Sequence, residues 1–265
     1  MSNGYLPSPH PFHMVHPSPW PMVGAGAAFV LALGLVLLMH DHGPWGLIAG
    51  FILVLFTMAG WWRDVIRESV VDDVHTSPVR HGLRVGMGLF ILSEVMFFAA
   101  FFWAFFHNAL QVSPGVTQWP PPSIQPFNPW GVPFLNTLIL LSSGMTVNWA
   151  HHAVRADHRR NIILGLAVTV ALGALFLSLQ AYEYGHAAFA FREGIYPSVF
   201  YMATGFHGFH VLVGVCFLTV NLGRALRGQF LPDHHVGFEA AAWYWHFVDV
   251  VWLFLFVWIY WWGGS

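Results

Sequence analysis

Seven stretches of mostly apolar residues, near 22–39, 44–62, 82–107, 134–152, 161–183, 197–224 and 239–262, constrain this chain more than any other feature of it. A bilayer core about 30 Å thick needs about 20 apolar residues for each helical crossing. The breaks between the stretches carry stop signals, as in the run from His40 to Pro44 and the polar run from Arg63 to His81. The third and sixth stretches exceed one bilayer, which predicts tilt or projection beyond it. Only 8% of residues are charged and 57% are hydrophobic, whereas soluble domains are roughly a quarter charged. The sequence predicts an all-α integral membrane protein with seven transmembrane helices and one membrane domain, 1–265, with no repeat of fixed period. Its parts are an inner N-terminal segment 1–21, helices one and two in 22–62, helices three to seven in 82–262, and an outer loop 108–133. Seven prolines in that loop, from Pro114 to Pro133, predict an ordered extended lid and no helix.

Twelve acidic and ten basic residues nearly cancel, so the charge balance suggests no nucleic acid and no acidic substrate. Every basic residue is Arg, the better bidentate partner for lipid phosphate. Arg63, Arg67, Arg80, Arg84, Arg155, Arg159, Arg160, Arg224 and Arg227 share one face, and only Arg192 lies opposite. Cationic residues accumulate on the cytoplasmic side, which puts the amino terminus inside and the carboxyl terminus outside. The proline-rich first residues resemble neither a signal nor a transit peptide, so the sequence is expected to begin at or near its mature end. That, with the absence of Lys, favours a bacterial inner (plasma) membrane over a mitochondrial inner membrane. Cys216 is the only cysteine, which excludes an intrachain disulfide. His10, His13 and His16 are separated by prolines that prevent one helical face, so an extended surface segment is expected in place of a metal site.

Ionisable groups at mid-membrane are costly, so each is a functional hypothesis by default. Glu94 falls about 18 Å along the third helix at about 1.5 Å per residue, among Phe90, Ile91, Phe97 and Phe98. The alternatives are a proton or lipid site and a neutral carboxyl bonded across helices. His207 with His210, and His246 with Asp249, are pairs three residues apart on one helix face. Together these four form a possible intramembrane polar network. A metal or haem site shared with Glu94 is the competing reading, weakened because neither pair makes a Glu-x-x-His motif and no cysteine supplements them. At the end of the second stretch Trp61, Trp62, Arg63, Asp64, Arg67 and Glu68 crowd together. Arg63 and Arg67 share a face at headgroup depth, suited to lipid phosphate or to simple snorkelling.

The motifs HMVHPSPWP (13–21), WWRDVIRES (61–69), SEVMFFAAFFWAFFH (93–107), WAHH (149–152), ATGFHGFHV (203–211) and HHVGFEAAAWYWHFVDVVWLFLF (234–256) resemble subunit III of the haem-copper cytochrome c oxidases, in the form shared by mitochondria and proteobacteria. The resemblance covers nearly the whole chain. It implies a two-helix and a five-helix bundle separated by a V-shaped cleft filled with phospholipid. It also implies a non-redox subunit of a proton-pumping oxidase that passes electrons from cytochrome c to oxygen. Such a subunit docks on catalytic subunit I, with subunit II in the same complex; haem and copper reside in those partners and no metal in this chain. It sustains proton uptake and protects the catalytic core during turnover, and its cleft is an implied oxygen route.

On matching positions, Trp62, Arg67, Glu68, His75 and Arg224 are implied to contact lipid headgroups, and Glu94 is the family's buried acid. The segment RGQFLPD before His234 departs from the family in being less basic. The competing function is a free-standing transporter or haem-bearing membrane cytochrome that uses Glu94 and the histidines directly.

Overall fold

The computed structural model describes residues 12–15, 17–110 and 118–264. Its elements are α1 (Trp20–Met39), α2 (Trp45–Val70), α3 (Ser77–Ala109), α4 (Val132–Arg155), α5 (Arg159–Gly185), α6 (Ile195–Leu226) and α7 (Val236–Leu255), the last continuing as a π-helical segment, Phe256–Trp262. Among the described residues there is no strand, only an isolated bridge between Leu231 and His234. Among the described residues six of the helices are long and apolar enough to cross a membrane, and α4 is not one of them. Helices suit such a setting because every amide bonds within its own segment, leaving no backbone group to face lipid unpaired.

At 24 residues α4 has the length, but Asn136, Thr137, Ser143 and Asn148 dilute its apolarity. Three of them are satisfied inside the protein: Thr137 Oγ1 accepts from the Trp252 indole at 2.9 Å, Ser143 Oγ accepts from the Trp245 indole at 2.9 Å, and Asn148 Oδ1 meets His246 Nε2 at 2.9 Å. Hydropathy understates this helix because Thr137, Ser143 and Asn148 meet partners on α7 and not lipid.

The chain divides into two compact units, Met1–Leu83 and Arg84–Ser265. The first holds α1, α2 and the opening turns of α3. Its two helices meet at Gly34 and Gly46, where a Cβ on Gly34 would overlap the Gly46 backbone, and at Gly50, where a Cβ would overlap Leu31. Small residues of this kind bring membrane helices close enough for their backbones to touch. The Trp20 indole donates to Asp64 Oδ2 at 2.6 Å, tying the start of α1 to the late turns of α2.

The polar run after Trp62 does not form a loop. Helix α2 carries on to Val70, and the connector is only 71–76, folded back so that Val71 and Asp72 donate to the Arg67 carbonyl and Val74 to that of Glu68. Arg and Glu are good helix formers, and once outside the hydrocarbon layer a polar helix is well solvated.

In the second unit α7 is the most enclosed element. Trp245, Trp252, Val248, Leu255 and Ile259 are all at most 1% exposed. Trp245 lies over Gly173 of α5 and Gly214 of α6, whose missing side chains make the room. The described part of the proline-rich loop, 118–131, is non-helical as expected and packs inward: Ile124 is buried, and Phe127 meets Phe189, Phe200 and Tyr260. His13 lies in an irregular stretch, whereas His10 and His16 lie outside the described residues. Outward faces are strongly apolar. Phe29, Leu33, Phe51, Phe56, Leu89 and Met96 are among the many large exposed side chains, far more than a soluble surface carries, as lipid-facing helices require.

Candidate functional site

Glu94 lies on α3, in the second unit, opposite His210 of α6. Their side chains are 21% and 9% exposed, and Oε2 sits 2.8 Å from Nε2. His210 Nδ1 is 2.6 Å from the Phe206 carbonyl of its own helix. A carbonyl only accepts, so Nδ1 carries a hydrogen there. The short contact on the other side then requires one more proton, held either by the carboxyl group or by Nε2. The pair is therefore a single-proton hydrogen bond walled by aromatics: Phe98 lies 5.0 Å from the His210 ring, with Phe97, Tyr244 and Phe247 slightly farther. Low local polarity strengthens such a bond.

The remaining polar residues do not join it. His246 Nε2 meets Asn148 Oδ1 at 2.9 Å, and its Nδ1 is 3.3 Å from Asp249 Oδ2. Asp249 lies so close to Gly144 of α4 that a Cβ there would come within 2.5 Å of Oδ2. His207 is 1% exposed, packs against Phe176 and Trp252, and neither ring nitrogen has a hydrogen-bond partner among the described residues. The four residues grouped in the sequence thus fall into three separate arrangements. A haem held by two histidines needs both rings free to reach one iron. His207 is closed in by Phe176 and Trp252 while His246 is bonded to Asn148, so these residues do not fit the group.

Of the expected lipid contacts, Trp62, Arg67 and Glu68 occupy the last turns of α2, and His75 sits in the connector. Trp62 and Arg67 are exposed, while Glu68 and His75 are half-buried. Beneath Trp62 a cavity of about 480 Å³ runs between α1 and α2, with Gly24, Ala28, Val54, Met58 and Trp61 among its walls. It is almost wholly apolar. Asp64, which the sequence groups with the arginines, is shared between Trp20 and Arg63, the latter at 3.3 Å. Arg224 lies in the second unit. Its guanidinium carbon stands 4.8 Å over the Phe230 ring and its edge packs on Gly237 at the start of α7.

Two polar clusters have no counterpart in the sequence reading. Glu183 of α5 is 3% exposed and accepts a 2.7 Å bond from the Tyr260 hydroxyl, itself 3.2 Å from Gln180. The only hint in the sequence is that Gln180 and Glu183 share a helix face. Arg84 of α3 donates from Nε and Nη2 to Glu239 of α7 at 2.6 and 3.1 Å, a bidentate pair bridging residues far apart in sequence.

The family model described as "Cytochrome c oxidase subunit III" matches residues 10–264. Similar relatives include "Cytochrome c oxidase subunit 3" of Branchiostoma lanceolatum, 56% identical over 97% of this chain and 98% of its own length. The Prototheca wickerhamii protein of that name is 55% identical over 97% and 99%, and that of Cyprinus carpio 54% over 96% and 98%. With a family model spanning nearly every residue and this degree of identity end to end, the chain belongs to the cytochrome c oxidase subunit III family.

Proposed function

We propose that this chain is a non-redox subunit of a proton-pumping cytochrome c oxidase, organising phospholipid and holding a proton beside a catalytic centre that another subunit carries. Family membership over residues 10–264 is the observation that carries the reading. The partners are catalytic subunit I, in direct contact, and subunit II in the same complex; these hold haem and copper. Nine arginines at one membrane face orient the amino terminus inward and the carboxyl terminus outward. The membrane is a respiratory one, taken as the bacterial plasma membrane, with the mitochondrial inner membrane as the alternative.

The lipid role rests on chemistry at the end of α2. An apolar cavity accepts acyl chain while Trp62 in its wall and Arg67, farther along α2, suit the ring and the phosphate. Glu68, His75 and Arg224 complete the proposed headgroup contacts, in a V-shaped cleft between the two-helix and five-helix bundles. Purification tests the whole reading. The chain should copurify with the haem- and copper-bearing subunits together with tightly held phospholipid, and show no Soret band when separated. A Soret band in the separated chain, or failure to copurify, overturns the assignment.

Glu94 and His210 supply the protonic part. A glutamine at position 94 can donate its amide hydrogen to Nε2 and so keep the interhelical bond, but it cannot release a proton. Oxidase carrying Glu94→Gln is expected to assemble normally yet take up protons more slowly and lose activity severalfold faster in sustained turnover. Turnover indistinguishable from the parent over many catalytic cycles would remove Glu94 from the mechanism.

A further inference from the structure

Where α4 ends and α7 begins, three potential ligands converge that the proposed function does not use. His151 lies in the last turns of α4, His235 caps the start of α7, and Glu239 sits one turn later. Each offers one ligating atom, and all three atoms lie within 4.8 Å of one another.

His235 is 7% exposed. Its Nδ1 is 3.1 Å from the Leu231 carbonyl, so Nδ1 bears a hydrogen and Nε2 presents its lone pair in the neutral ring. Nε2 lies 3.3 Å from Glu239 Oε1 yet makes no hydrogen bond, and His151 Nε2 is likewise buried without a partner. The lone pair of His235 Nε2 and a carboxylate oxygen directed at one small volume repel unless something positive sits between them, and His151 offers a third donor there.

We propose that His151, His235 and Glu239 bind a divalent cation of borderline softness, of which zinc is the best match. Two histidines and one carboxylate are a zinc donor set, with a fourth position left for solvent. Tetrahedral coordination at about 2.0–2.2 Å places ligand atoms about 3.4 Å apart. His235 and Glu239 already meet that spacing, and a small swing of the His151 ring completes it.

The surroundings fit as well. A ligating histidine characteristically donates its other N–H to a backbone carbonyl, and a ligating carboxylate is itself hydrogen-bonded. The Leu231 carbonyl does the first, and Arg84 does the second through its bidentate grip on Glu239. Arg84 also lowers the local negative charge, so the site takes a cation through its nitrogen donors and does not act as a general acidic trap. Bound zinc would clamp α4 to α7 at the arginine-rich end of the helices, apart from Glu94.

The test uses the intact oxidase, stripped with a chelator and then supplied with zinc chloride. Anomalous scattering measured on both sides of the zinc absorption edge should give a peak about 2.0–2.2 Å from all three ligand atoms. Zinc content by mass spectrometry should fall by one ion per copy of this chain in His235→Gln and in His151→Gln. Both variants leave the Arg84–Glu239 pair in place. Lack of an anomalous peak in the parent enzyme overturns the proposal even if the variants fail to assemble, since that measurement needs no mutation. Unchanged zinc content in both assembled variants overturns it as well, leaving a protonated His235 as the group that balances Glu239.

Discussion

Trp245→Ala is expected to release this subunit from the oxidase at a distinctly lower temperature than the parent, because it removes one of the largest fully buried side chains in the second unit. Trp245 is 0% exposed, fills the space above Gly173 and Gly214, and donates to Ser143. Large-to-small changes at such sites cost about 3–5 kcal/mol. Lipid tails are as apolar as the core, so the loss is one of packing and not of transfer, and the lower end of that range is the better expectation. The indole hydrogen bond adds about 0.6 kcal/mol by membrane double-mutant averages. Native gels run after graded heating would read the effect. A release temperature equal to the parent's would mean that this packing does not hold the unit together.

An effect as large is expected in the first unit from Gly34→Val. The opposing atoms are backbone of Gly46 and Leu47, which cannot rotate away as a side chain could. Overpacking usually costs about 1–3 kcal/mol, and an obstacle made of backbone belongs at or beyond the top of that range. Gly26→Ala is the internal control, since nothing lies within 4 Å of the Cβ it would add, and alanine is the better helix former by about 1 kcal/mol. Cysteine cross-linking of α1 to α2 should fail in the first variant and persist in the second. Equal cross-linking in both would show that the glycine contact is dispensable.

What could be read from residue order divides along a physical line. Burial in lipid is a property of composition summed over one helix, so the positions of seven helices were legible to within a few residues at most ends. Helix α2 outran its apolar stretch because solvated arginine and glutamate extend a helix as well as leucine does. Helix α4 was legible as an element but not as an apolar one, because Ser143 and Thr137 are matched by tryptophans about a hundred residues later. Partnerships of that kind depend on interhelical geometry, which periodicity does not encode. For the same reason Glu94 stood out by its depth, whereas its bond to His210 did not, and Glu183 and Glu239 went unnoticed although they make strong side-chain bonds.

The Phe206 carbonyl decides what the Glu94–His210 pair can do. An imidazole passes protons along by accepting at one nitrogen while letting go at the other, and here the second nitrogen is moored to an oxygen of its own helix. That oxygen cannot carry charge onward, so the ring has one door. In the proposed protonic role, the pair would serve as a reservoir and not a conduit: what enters from the side of α3 would have to leave by the same route.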